Sequence, residues 1–172
     1  MHKLSAMLES EPLDAENLME YAKRLTQLSG GAIPLPNLEI RVKDKAIKHL
    51  EPNQKAVYTF SYKNRPLKIG IAGAKSHARL SSQHYLPNSC KSNLAKKILK
   101  LHSLVQFEEL TNIQNIGNWI KENCERIDLI YTNIDNWTLR LIESAMHYKY
   151  KPLFEGTEKN IIEVINNQIS VY

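Results

Sequence analysis

The run Ala56-Val57-Tyr58-Thr59-Phe60-Ser61-Tyr62 alternates and is rich in β-formers, and Leu67-Lys68-Ile69-Gly70-Ile71-Ala72 is a second strand-like run. Between them stands only the polar stretch Lys63-Asn64-Arg65-Pro66. Two such runs with a short polar link form a β-hairpin, and the rest of the chain must pack around it. Arg126 to Tyr131 (RIDLIY) predicts a third strand.

Helical patterns surround these strands. Residues 14 to 29 carry an Asp14 cap, an apolar stripe of Leu18, Met19, Tyr21, Ala22 and Leu25, and a Gly30-Gly31 stop. Pro34 and Pro36 then impose an extended connector. Residues 40 to 50 fit either a strand or a short helix. A short helix is expected over 77 to 85, ended by Leu86-Pro87-Asn88-Ser89. A basic helix follows over 93 to 105, with Leu94, Ile98, Leu101 and Leu104 on one side. Residues 113 to 125 read as helical, and 136 to 148 as a capped helix with Leu139, Ile142 and Met146 facing a core. Pro152 ends it, and Glu158 to Asn167 predicts one more helix. Trp119 and Trp137 read as packing residues.

With 172 residues, 42% of them hydrophobic, the chain is long enough for one domain with a real core. The expected fold is mixed α/β (α+β), a small central antiparallel sheet of about three strands flanked by helices. Its parts are an N-terminal helical extension over 1–50, a core over 51–157 and a helical tail over 158–172. No long apolar run suits a membrane span. Cys90 and Cys124 are too few for a disulfide framework and read as inert thiols of a reducing, cytoplasmic setting.

The charge is uneven. Residues 41 to 100 hold fourteen Lys or Arg against Asp44 and Glu51, a net +12, so the remainder of this +5 chain carries −7. Such a distribution suits a polyanion partner, although a solvated lysine-rich face is the plain alternative. Lys75, Lys91, Lys96, Lys97 and Lys100 are the candidate nucleic-acid contacts.

Several familiar motifs fail. Gly70-Ile-Ala-Gly73-Ala-Lys75-Ser76 lacks the spacing of a P-loop, and no zinc, hydrolase-elbow or dinucleotide signature is present. Glu143 and His147, four apart on a predicted helix, are the one pair placed to share a metal. What remains is an ordered set: Ala56-Val57-Tyr58, Lys68-Ile69-Gly70, Arg79, His84, and distant Glu143 on a helix closed by Lys151-Pro152-Leu153. Over about residues 56 to 155 this set resembles the GIY-YIG nuclease superfamily. Three departures stand out. Lys68 replaces a tyrosine, as in some GIY-YIG restriction enzymes, and His84 follows Arg79 by five residues rather than four. Glu155 stands where an asparagine is usual, which brings a negative charge near the phosphates unless it points away.

The resemblance implies a metal-dependent DNA endonuclease, of a restriction or phage-defence kind, with Tyr58, Lys68, Arg79, His84 and Glu143 as catalytic residues. Tyr58 would be the general base or the group that orients the attacking water, with a nearby Lys68 ammonium lowering its pKa. Arg79 would clamp a phosphate, and Glu143 would hold one Mg²⁺ or Mn²⁺. His84 would contact a phosphate or assist proton transfer. A double-strand cutter needs two sites, most simply supplied by a homodimer. Two rivals share the fold: a nucleic-acid-binding module without catalysis, and an RNA-directed nuclease. No aromatic stacking signature for RNA stands out. In the plain reading, Tyr58 packs one sheet face with Phe60 and Tyr62.

Overall fold

The computed structural model describes residues 13–28, 37–42, 49–76, 78–90, 93–101, 115–156 and 161–162. The glycine stop at 30–31, the 34–36 connector, Lys91, Leu104 and nearly all of the 158–172 tail lie outside them.

The hairpin is the centre of the molecule. Strand β2 (Gln54–Tyr62) turns into β3 (Arg65–Gly73) through Lys63 and Asn64 alone, with φ of 48° and 62°. Two consecutive positive φ values define the tight turn whose twist matches paired strands. The turn is thus two residues shorter than the sequence suggests, and Arg65 and Pro66 belong to β3. Phe60 faces Lys68 while Ser61 faces Pro66, so Leu67 is an extra residue in β3. This bulge lies directly beside Lys68 and alters the local twist there.

Strand β1 (Leu38–Val42) and strand β4 (Glu125–Thr132) complete an antiparallel sheet of four strands, in the order β1-β4-β2-β3. The mixed α/β expectation holds with one strand more than foreseen. That strand comes from the supposed helical extension and overlaps the segment left open between strand and helix.

Each sheet face has its own core. Val57, Ile69, Ile127, Leu129 and Tyr131 pack with α1 (Ala15–Leu28) and α4 (Asn136–Tyr150). Ala56, Tyr58, Phe60 and Ile130 share the other core with α2 (Leu94–Leu101) and α3 (Ile116–Asn123). Helix α4 begins where Asp135 accepts the Trp137 and Thr138 N–H groups, and stops at a left-handed Lys151 before Pro152. Trp119 is packed against Tyr62, whereas Trp137 stands 81% exposed, contrary to its expected packing role. No helix among the described residues is long and apolar enough to cross a membrane.

Strand β3 is an edge strand, and its outer rim is only partly covered by backbone. The chain after α4 runs alongside it, Leu153 N–H donating to Pro66 O (3.0 Å) and Phe154 N–H to Leu67 O (2.8 Å). Beyond Leu67, side chains serve the rim. Glu155 accepts the Ile69 N–H, His147 Nε2 meets Ile69 O at 3.1 Å, and Arg79 donates to Ile71 O at 3.2 Å.

Candidate active site

Along this rim lies a cavity of about 350 Å³. Tyr58 (β2), Lys68 (β3), Glu143 (α4) and Glu155 line it, together with Arg79 and His84 from a π-helical turn at Arg79–Gln83 and its cap. All five sequence-derived catalytic candidates therefore meet in one place, although they are scattered over 86 positions of chain. Cys90 also reaches the cavity wall, while Cys124 is buried elsewhere in the core.

Glu155 points in. Its Oε1 accepts from Lys68 Nζ at 2.8 Å, and the lysine side chain is only 6% exposed. The departure from the asparagine pattern is thus built into the site as an ion pair. Its position is fixed from α2: Lys97 Nζ donates to Phe154 O (2.6 Å) and Gly156 O (3.0 Å). Lys97, half-buried, is therefore a brace for the segment carrying Glu155. Lys75, Lys96 and Lys100 do stand exposed.

Tyr58 differs from expectation in its electrostatics. Burial raises its pKa well above the ordinary tyrosine value, outweighing the opposing pull of Arg79. Lys68, paired with Glu155, is not among the charges that act on Tyr58, contrary to the lowering that the sequence suggests. The Tyr58 hydroxyl stays protonated at neutral pH, which suits it to orient a water rather than act as a base. The ring also lies across Gly70. A methyl group at Gly70 would come within 2.6 Å of Tyr58 Cζ, so glycine is required by the close approach of the ring. Gly70→Ala is expected to lose about 1–3 kcal/mol of stability, as overpacked cores do, measured by denaturant titration.

His84 packs its ring against Tyr58 (4.9 Å between centroids) and Phe60 (5.4 Å). Neither ring nitrogen has a hydrogen-bond partner among the described residues. Burial first, then the charges of Lys68, Arg126 and Arg79, push its pKa down to about 3, so the imidazole is neutral. The unfolded chain takes up this proton near pH 6.5 and the folded chain only near pH 3. His84's share of stability is therefore complete above pH 6.5 and falls on acidification towards pH 3. The slope is up to about 1.4 kcal/mol per pH unit. His84→Phe should flatten that part of the stability–pH profile, read by urea midpoints between pH 4 and 7.

Glu143 is half-buried, and burial raises its pKa; neighbouring His147 acts against the shift and Glu155 with it. It makes no hydrogen bond or ion pair among the described residues. His147 cannot share a metal through Nε2, which is engaged with Ile69 O. No group of three or more His, Cys, Asp or Glu suited to a metal exists among the described residues. The donor set fits Mg²⁺ through the Glu143 carboxylate, Glu155 being paired with Lys68, with waters and substrate phosphate oxygens completing the shell.

Beneath the cavity lies a pair that sequence reasoning passed over. Arg126 Nε donates to Asp128 Oδ1 at 2.9 Å, both side chains being buried on the Tyr58 face of β4. Arg126 also donates to Leu80 O (2.5 Å) and to the Tyr85 hydroxyl (3.3 Å). It thereby ties down the turn that presents Arg79 and His84. The only signal in the sequence was two opposite charges two residues apart in an otherwise apolar strand. Comparison with family models gives no match, and comparisons with curated proteins and with solved structures give no significant match either.

Proposed function

We propose that this protein is a metal-dependent endonuclease that hydrolyses phosphodiester bonds in DNA, in the manner implied by the GIY-YIG resemblance. The observation that carries the reading is the convergence of Tyr58, Lys68, Arg79, His84 and Glu143 on one polar cavity. The Arg79 guanidinium offers a fork that matches two phosphate oxygens. Tyr58, held protonated, directs a water towards phosphorus, and neutral His84 closes the apolar wall behind it. Lys68 adds positive charge whose reach is limited by Glu155. Glu143 is the residue that would hold Mg²⁺ or Mn²⁺, and the ion when bound neutralises charge on the phosphate and the departing oxygen. Two copies acting together would cut both strands of a duplex, and restriction or phage defence is the cellular setting such an activity suits.

One observation favours a second reading. The Glu155 carboxylate on Lys68 removes a cation from the site, which suits a nucleic-acid-binding module without catalysis. Plasmid DNA incubated with purified protein and Mg²⁺ or Mn²⁺, against EDTA, separates the two. Metal-dependent nicking or linearisation supports the nuclease. Salt-sensitive binding without cleavage supports the module, and cleavage confined to RNA substrates would redirect the reading to an RNA nuclease.

A further inference from the structure

Helix α4 turns Glu143 to the cavity and presents a different face to solvent. That outer face carries Trp137, Arg140, Leu141, Ser144 and Tyr148, a spacing that forms one stripe on a helix, and the exposed Lys151 follows just past the helix end. Trp137 and Tyr148 are 81% and 82% exposed. Neither ring contacts another aromatic ring among the described residues. Arg140 on the stripe and Lys151 at its end are cations and the stripe itself has no carboxylate, the exposed Asp135 being spent on capping the helix at Trp137 and Thr138. It also adjoins the cavity, since Arg140 is three residues from Glu143 and its charge acts on that carboxylate.

Exposed aromatic rings alternating with cations suit a ligand that offers flat apolar faces and negative charge together. A nucleic-acid strand does so only where its bases are unpaired, because a duplex hides the base faces in its stack. Trp, Tyr and Arg also mark protein interfaces, but a stripe with positive charge and no acid, beside a phosphate-type cavity, is complementary to a polyanion. At 1.5 Å per residue the two rings stand about 16 Å apart along the axis. That distance corresponds to about five nucleotides at 3.4 Å each.

We propose that the outer face of α4 binds an unpaired nucleic-acid strand, with Trp137 and Tyr148 stacking on bases and Arg140 and Lys151 meeting phosphates. The proposal rests on the nuclease reading of the cavity and names its substrate class: nucleic acid with an unpaired stretch beside the scissile bond.

The test is binding of a fluorescein-labelled 15-nucleotide oligothymidine to the full chain in EDTA, so that affinity is read without cleavage. Trp137→Ala and Tyr148→Ala are each expected to weaken binding about fivefold to 150-fold, the range given by stacking of about 1–3 kcal/mol per base. Oligothymidine should also quench Trp137 emission. Leu28→Ala, an equally exposed residue on α1, should leave affinity unchanged. Because the substituted side chains are solvent-facing, circular dichroism should match the parent protein. Equal affinity in all variants overturns the proposal, even if plasmid is cut with Mg²⁺. A dimer that Trp137→Ala dissociates without changing oligonucleotide affinity also overturns it and assigns the face to a second copy. Weakened binding by both aromatic variants in a protein that never cleaves upholds the surface while removing the nuclease reading.

Discussion

Replacing Glu143 by glutamine is expected to reduce metal-dependent cleavage by on the order of a hundredfold or more, while the melting temperature stays level or rises. The two readouts move in opposite directions for one reason. A half-buried carboxylate that makes no hydrogen bond among the described residues is unfavourable to the fold, and burial raises its pKa accordingly. A group whose folded pKa lies above its unfolded value opposes folding as pH rises through that range. Glutamine keeps the shape and removes the charge, so its stabilising effect should be larger at pH 8 than at pH 4. The same charge is what a bound divalent cation needs, and losing one preorganised electrostatic contact commonly lowers rates by about 10²–10³. Single-turnover plasmid cleavage and thermal melts at both pH values test the pair. A glutamine variant that melts lower and cuts normally would mark Glu143 as a structural residue.

The second large effect lies under the floor of the cavity. Arg126→Ala removes the ion pair from Asp128, which is wholly buried, and breaking such a pair typically costs about 3–5 kcal/mol. For a chain of this size that is a fall of roughly 6–20 °C in melting temperature. Arg126→Met together with Asp128→Leu should recover most of the loss, because two apolar residues need no ionic partner. The double variant still lacks the hydrogen bond to Leu80 O, so the turn bearing Arg79 and His84 is no longer tied. Stability restored with cleavage still impaired is the expected pattern. A single variant that loses under 1 kcal/mol would show that water or a neighbouring group satisfies Asp128.

What the sequence disclosed depended on how local the cause was. Tyr58, Phe60 and Ile69 sit in runs whose alternation and β-formers are visible within a few residues, so the hairpin was legible, and Asp135 announced α4 as a cap. The Leu38–Val42 strand was ambiguous because its partner, β4, lies far away in sequence. Lys97 and Lys68 look like any surface lysine, yet each is placed by a contact about 57 and 87 residues distant, with Phe154 O and with Glu155. The Tyr58 pKa inverted its expectation for a related reason: spacing revealed a neighbouring cation, while burial depends on packing from every side. Trp137 was misjudged because size and hydrophobicity say nothing about which way a helix faces at its first turn.

The rim of β3 carries a further consequence. A sheet edge with bare amides and carbonyls invites a strand from another molecule, and proteins commonly block it with charge or a covering segment. Here Glu155, His147 and Arg79 occupy that rim, so two side chains that line the cavity, Glu155 and Arg79, join His147 in denying it to intruding strands. A substitution at any of the three therefore bares part of the β3 edge, whatever else it changes. A variant drawn from them should be judged by its tendency to self-associate as much as by its activity.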